Sequence, residues 1–465
     1  MKARRLEHAA KNRFWEVFWE DCEAEAITGT LGTKGRARRH VFGSPMACKE
    51  FVETELASRL AQGFVEVLPE TVQTKTAPRA EAAPEWLARI VEAFDDDQPR
   101  LVYADWLQVR GDPLGELITV QCERARLEPW DPKHKPLRDR EEHLLAMYRS
   151  RWLPNVVGAE VEFHRGFAER VRLEHPLDRE VLERVLAGAP LVRTLEVVER
   201  RESWRATLWP WELPLPTPLQ SLTGLFLRGR KLEAGHVRAL VEFPDLARLD
   251  RLGLRSSGIG AQDVKQLATR PWRVLDLHDN VYGVRGVAYL LEHAAQLVAL
   301  DVGSAGVGDD GTRQLAAAPL HRLERLSLRR SVVTAQSLPA LVQSKHLRAL
   351  RVLDLSCNQL DGAAIEALCA AELPALVELD LRETSLGDAG VAALVRSPIA
   401  RQLRALDLGN NGITVDGARA IADAGLPNLR QLGASGNLLG DGVPLLKSAL
   451  RHARIVARSR NTTLV

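Results

Sequence analysis

Apolar positions recur with a long, regular period through the C-terminal part of the chain. In the stretch 347–369, LRALRVLDLSCNQLDGAAIEALC, leucines fall at 347, 350, 353, 355 and 360, with Asn358 between the last two. The same spacing returns at Leu403, Leu406, Leu408, Asn411 and Ile413, and more loosely at Leu376, Leu379, Leu381, Thr384 and Leu386. Marking the second residue of each Leu-x-Leu gives Leu254, Leu277, Val302, Leu328, Leu355, Leu381, Leu408 and Ala434, with steps of 23, 25, 26, 27, 26, 27 and 26 residues. Alternation over the Leu-x-Leu predicts a short strand, and the run 362–369 predicts a helix that returns the chain. One such unit cannot bury its apolar side alone, so the pattern predicts a stacked solenoid.

Upstream the pattern changes. FWEVFW at 14–19, residues 23–31 and residues 36–42 read as strands, with Gly32 and Gly35 marking a turn between the last two. Ser44 and Pro45 start a helix that carries Ala47, Phe51, Leu56 and Leu60 and stops at Gly63; a strand follows at 64–67. Residues 71–85 are rich in Ala, Pro and Thr without an apolar period and read as a linker. Leu87, Ile90, Val91 and Phe94 trace a helical face that ends at Asp95-Asp96-Asp97, a triplet read as a solvated loop. Asp112 caps a helix opening at Pro113 and carrying Leu114, Leu117, Ile118, Cys122 and Ala125. Asp105 and Arg110 form a candidate ion pair between these helices. A further helix at 139–152 leads to a hairpin over Glu160–Arg172 that turns at Gly166, and a helix face at Leu182, Val185 and Leu186 precedes a degenerate first repeat around Leu195. The aromatic, proline-rich run from Trp204 to Pro218 reads as an insertion.

The expected class is therefore α/β. Its parts are a small α+β domain over 1–70, a linker over 71–85, a helical segment over 86–158 and a solenoid with its N-terminal cap over 159–465.

Charge narrows the function. Sixty-three basic and 61 acidic residues leave a net +2, which gives no global field for nucleic acid or a membrane surface. No apolar run suffices to span a bilayer, and no leader-like segment stands at the N-terminus. Five scattered cysteines without a C-x-x-C spacing point to reduced thiols and a cytoplasmic setting. No phosphate loop, zinc-protease, nucleophile-elbow or paired-cysteine motif is present, so neither catalytic residue, metal nor cofactor is assigned.

Three resemblances follow from these residues. Phe14-Trp15-Glu16-Val17, the Gly29–Gly35 stretch, the helix with Ala47 and Phe51, and Gly63-Phe64-Val65-Glu66 resemble the WGR domain over residues 4–70. That domain is found beside poly(ADP-ribose) polymerase catalytic domains and in many bacterial proteins. Where the family has Trp-Gly-Arg this chain has Thr28-Gly29-Thr30, so the two residues that engage DNA in the polymerases are missing. The strings Arg100–Leu107 and Arg110–Glu116 resemble a short bacterial repeat-companion domain over 85–127, to which no chemistry is attached. The period and the string Leu-Gly-Asp-Ala-Gly-Val-Ala-Ala-Leu resemble leucine-rich repeats of the ribonuclease-inhibitor-like class, which implies helices on the convex side and a protein partner.

Stacked repeats align their outward residues in columns on the concave face. The x of Leu-x-Leu gives an acidic column of Asp276, Asp301, Asp354, Asp380 and Asp407, flanked by Arg251, Arg255, Arg325, Arg329 and Arg382. Like charges at strand spacing repel unless paired, so a mixed stripe suits a charged protein partner better than nucleic acid. The alternative is a nucleic-acid-associated regulator acting through Lys34, Arg36, Arg38 and Arg39, although residues 1–70 hold 11 basic and 11 acidic side chains. Asn, Ser and Thr at the turn position of each repeat, Asn358 among them, are expected to satisfy backbone groups between repeats.

Overall fold

Each Leu-x-Leu closes a strand of only a few residues, because the chain must turn outward as soon as both leucines are inside. The computed structural model describes residues 2–8, 11–20, 23–30, 36–42, 44–67, 84–128, 131–153, 159–174, 189, 191–198, 222–229, 231–233 and 235–456. Two units separate, Met1–Pro84 and Glu85–Val465. The expected linker, the helix at Leu182–Leu186 and the insertion at Trp204–Pro218 lie outside the described residues, apart from the linker's last two residues.

In the first unit β1 (Lys2–His8), β2 (Arg13–Glu20), β3 (Glu23–Thr30), β4 (Arg36–Val41) and β5 (Val65–Val67) form an antiparallel sheet in the order β4-β3-β2-β1-β5. Helix α1 (Pro45–Ala61) opens at Ser44, whose hydroxyl accepts the Ala47 N–H at 3.2 Å. Period-2 alternation puts Trp15 and Val17 on the inner face, with Leu6, Ala24 and Ala26 from neighbouring strands and Cys48 and Val52 from the helix. Strand β1 was not expected. Its sequence, KARRLEH, carries a single large apolar residue, and it is held as a strand by ladder bonds to both neighbours.

The second unit begins with α2 (Pro84–Glu92), α3 (Gln98–Val109), α4 (Pro113–Ala125) and α5 (His134–Trp152). Ile90, Phe94, Tyr103, Ala104, Leu107, Ile118 and Cys122 share one core with Leu191 and Phe167 of the array. Leu117 and Val120, on the other side of α4, pack with Leu144, Trp152 and Phe163. The helices are thus fused to the solenoid by apolar burial.

Two polar expectations for this region are corrected. Arg110 lays its guanidinium 3.7 Å from the Trp106 ring and donates to the Trp106 carbonyl, while Asp105 is exposed. Stacking on the indole wins over a contact between two solvated charges. Nor is the Asp95–Asp97 triplet merely solvated. Asp97 pairs with Arg126 at 3.0 Å and Arg165 at 3.3 Å, and Asp95 with Arg193 at 3.5 Å.

The array starts with the hairpin β6 (Ala159–His164) and β7 (Phe167–Glu174). Its turn needs glycine twice over at Gly166, where φ is +92° and a Cβ would lie 2.0 Å from Ile118 Cγ1. Parallel strands follow: β8 (Thr194–Val198), β9 (Gly224–Arg228), β10 (Arg251–Arg255), β11 (Val274–Asp276), β12 (Ala299–Asp301), β13 (Arg325–Ser327), β14 (Val352–Asp354), β15 (Glu378–Asp380), β16 (Ala405–Asp407), β17 (Gln431–Gly433) and β18 (Arg454–Val456). All belong to one 13-stranded sheet in chain order. The leucines of Leu353 and Leu355 type are fully buried in a single continuous core.

After each strand the backbone enters the left-handed region in register, at Ser256, Asp279, Ser304, Arg330, Cys357, Glu383 and Asn410. This twist exposes backbone groups that the asparagines satisfy as expected. Asn358 Oδ1 accepts the N–H groups of Ser331 and Val333, and its Nδ2 donates to Leu328 O and Leu355 O. Asn280, Asn411 and Asn437 repeat the arrangement. The Gly-Asp helix starts act one repeat further on than a simple cap would. Asp388 accepts from the N–H and hydroxyl of Thr414 and the N–H of Gly417, so it caps the helix of the next repeat, and Asp309 does the same for Thr334 and Ser337.

Candidate interaction surface

The parallel register sets Asp276 beside Asp301, and Ser327, Asp354, Asp380 and Asp407 in continuous succession. The aspartates do not simply point to solvent. Each accepts a backbone N–H two residues on: His278, Gly303, Ser356, Arg382 and Gly409 donate to Asp276, Asp301, Asp354, Asp380 and Asp407 respectively. These bonds hold the chain as it leaves the strand, so the acidic column is first a turn-forming device.

Its electrostatics are graded along the array. Asp276 is 4% exposed and Asp301 7%. Burial, then the Asp301 charge, raises the Asp276 carboxyl above the usual range. The His278 ring leans over Gly303, where a Cβ would lie 2.6 Å from Nδ1, and meets Asp301 Oδ1 at 3.2 Å. Asp354 has no arginine within pairing distance among the described residues; burial and the neighbouring Asp380 push it up to about 6. Further along, Arg382 makes a forked contact with Asp380 and approaches Asp407 at 3.6 Å. Arg382 is only 7% exposed, so its charge is largely spent inside the ladder.

Reachable charge lies in the flanking columns. Arg325 is exposed, and Arg251, Arg255 and Arg329 are half-buried. Arg329 donates to Ser356 Oγ at 3.2 Å, and Arg251 has Asp250 at 3.8 Å. A further arginine column escaped the sequence reading. Arg193, Arg273, Arg351, Arg404 and Arg430 each stand two residues before the first inward leucine of their repeat, and backbone bonds thread this row through Thr223, Asp250, Val298, Glu324 and Val377. The signal was a plain period. It went unread because these residues precede the strands rather than alternate within them.

Glu128, just beyond α4, reaches this row and pairs with Arg404 at 3.2 Å and Arg351 at 3.6 Å. Helix α4 is tied at its other side to the β6–β7 hairpin, where Gln121 bonds both Phe163 O and the Gly166 N–H. The helical segment therefore runs from the first strands of the array to the edge of β14–β16.

Of the N-terminal basic group, Lys34 lies outside the described residues. Arg36, Arg38 and Arg39 all fall on β4, with Arg38 exposed. Among the described residues no cluster of three His, Cys, Asp or Glu side chains could hold a metal, and no helix is long and apolar enough to cross a membrane.

Comparison with known proteins agrees with this geometry where the repeats are most regular. The leucine-rich repeat family profile matches residues 346–369, 373–395 and 401–422. A ribonuclease inhibitor from Sus scrofa is 30% identical over 200 residues, a region that spans 34% of this chain and 43% of the inhibitor. Among solved structures, an internalin (inlF) from Listeria monocytogenes is similar at 15% identity and a TM-score of 0.34, covering 62% of this chain and 79% of that one. A Bacteroides fragilis protein is similar at 13% identity and a TM-score of 0.30, covering 98% and 96%. The C-terminal array is a leucine-rich repeat solenoid.

Proposed function

We propose that the chain is a non-enzymatic scaffold holding an acidic protein partner on the concave face of its solenoid, in a reducing, cytoplasmic setting. The observation that carries this reading is the division of labour across the columns. Asp276, Asp301, Asp354, Asp380, Asp407 and Arg382 are engaged in the ladder, whereas Arg325 projects from its edge and Arg251, Arg255 and Arg329 remain partly accessible. Arginines held on a rigid parallel sheet offer forked donors to carboxylates at fixed spacing. The relative from Sus scrofa is by name an inhibitor of a ribonuclease, which fits an array that works by occupying another protein. Leucine-rich repeat proteins as a class bind protein partners, and Cys122, Cys357 and Cys369 are free thiols.

The test is affinity capture with the full chain and an R325E/R329E variant. Loss of captured partners with an unchanged thermal transition supports the reading; an identical partner set in both captures sinks it. Charge reversal of the aspartates would be a poorer probe, because it removes turn bonds along with charge.

A further inference from the structure

The structure assigns a second site, away from the repeat columns just discussed except at Arg193 and Arg251. We propose that the cleft between α5, the β6–β7 hairpin and the starts of β8–β10 binds a small phosphate monoester. The cleft encloses about 640 Å³, the size of a small-molecule site. Six arginines line it: Arg124, Arg149, Arg165, Arg170, Arg193 and Arg251.

Their carboxylate partners do not go round. Asp97 is shared by Arg165 and Arg126, Glu196 by Arg170 and Arg228, and Asp250 by Arg251 and Arg273. Glu169 lines the cleft but its near partner is Arg100, which does not. Arg149 donates to the Val161 carbonyl at 2.8 Å and has no carboxylate within pairing distance among the described residues. The remaining lining acids are either tied up, as Glu141 is by Arg124 at 2.8 Å, or stand at the exposed rim, as Glu162 and Asp95 do.

Among the described residues the buried Nε–H groups of Arg165, Arg170 and Arg251 have no hydrogen-bond acceptor, the Asp250 carboxylate standing 3.8 Å from Arg251 Nε. Buried donors without acceptors in a cleft with surplus arginine charge describe a site shaped for an oxyanion. The Arg193 guanidinium lies 3.8 Å from the Phe94 ring centre, which fixes its plane as a ready fork. Thr194 and Thr223 add hydroxyls to the lining. A dianionic phosphate matches this set better than a single carboxylate, since it offers three acceptor oxygens to several forks.

The experiment is calorimetric titration of the full chain at fixed ionic strength with inorganic phosphate, glucose 6-phosphate and a short phosphoserine peptide. Arg149→Gln, Arg193→Gln and, as a control on a convex helix far in sequence from the cleft, Arg419→Gln are titrated in parallel, each checked for an unchanged thermal transition. Saturable binding that weakens about tenfold or more in R149Q and R193Q but not in R419Q is expected. The two esters then distinguish a free metabolite from a phosphorylated chain. If either cleft variant unfolds, Arg149→Lys, which keeps the charge and loses the fork, must show the same selective weakening. Absence of saturable binding, or equal weakening in R419Q, would overturn the proposal. None of these outcomes depends on the concave-face partner.

Discussion

Arg100 donates from Nη2 to Glu169 Oε1 at 3.0 Å inside the protein, with the arginine side chain fully buried and the glutamate nearly so. The pair joins α3 to β7. Arg100 also donates to the carbonyl of Phe94 and lies 4.3 Å from that ring. Burial pushes Glu169 up to about 6 even beside this arginine, so desolvation outweighs the attraction. Arg100→Ala strands a buried carboxylate and the carbonyls of Phe94 and Asp96, to both of which Arg100 Nη1 donates; it is expected to cost roughly 3–5 kcal/mol in urea unfolding. Arg100→Met paired with Glu169→Leu should recover much of that loss. A single Arg100→Ala variant as stable as the parent would show that the helices are held by their apolar core alone.

Asp354 yields a pH prediction. Its folded carboxyl titrates near 6, above the ordinary aspartate value, so the folded state takes up a proton there before the unfolded chain does. Ionised Asp354 therefore costs stability above pH 6, and the cost fades as the pH falls through 6 toward the unfolded value. Asn keeps the acceptor for the Ser356 N–H. The thermal transition of Asp354→Asn should lie a few degrees above the parent at pH 7.5, and the gap should narrow as the pH falls and close only toward the unfolded aspartate value of about 4. Taking this difference cancels His164, whose burial and arginine neighbours lower it to about 4 and give the opposite slope.

Val332 has φ of +57°, a conformation that a β-branched residue adopts only under strain. Glycine holds the equivalent place at Gly258, Gly306 and Gly412. Val332 is 69% exposed, so little packing is lost on its removal. Val332→Gly should stabilise the protein by about 0.5–1 kcal/mol, read from the urea midpoint at unchanged slope. A destabilised variant would mean that the loop is not strained.

Asn358 should be costly to replace. Alanine leaves two N–H groups and two carbonyls without partners between repeats, an expected loss of roughly 2–4 kcal/mol. Ser331, at the same place one repeat earlier, reaches only carbonyls, at 3.3 and 3.5 Å, so Ser331→Ala should cost well under half as much. Comparable losses at the two positions would contradict the ladder as the source.

The repeat register, the concave columns and the turn asparagines could be read directly, because a fixed period constrains every residue that shares it. The first sheet was likewise visible in its alternating strands, except for β1, whose KARRLEH carries no period. What the pattern could not reveal was engagement. Asp276 and Asp407 look alike in Leu-Asp-Leu, yet one is sealed beside Asp301 and the other sits near Arg382. Contacts between distant segments were equally hidden. Glu128 is one acid in a polar connection until the fold brings it to Arg404, 276 residues away.

That contact has a mechanical meaning. A stack of repeats is a spring, since small rotations at each junction add up to large changes in curvature. The helical segment grips the first coils at Glu169 and Phe163, and Glu128 grips Arg351 and Arg404, two repeats apart near the other end. A brace across the coils resists spreading, so the solenoid should meet its partner at a preset curvature rather than flex to fit. Each exposed ion pair contributes only about 0–1 kcal/mol, so the brace is also releasable. Glu128→Lys should leave the thermal transition nearly unchanged while speeding amide exchange at Leu127, whose N–H donates to Arg124 O. If exchange there stays as slow as in the parent, the coils are not braced at this point.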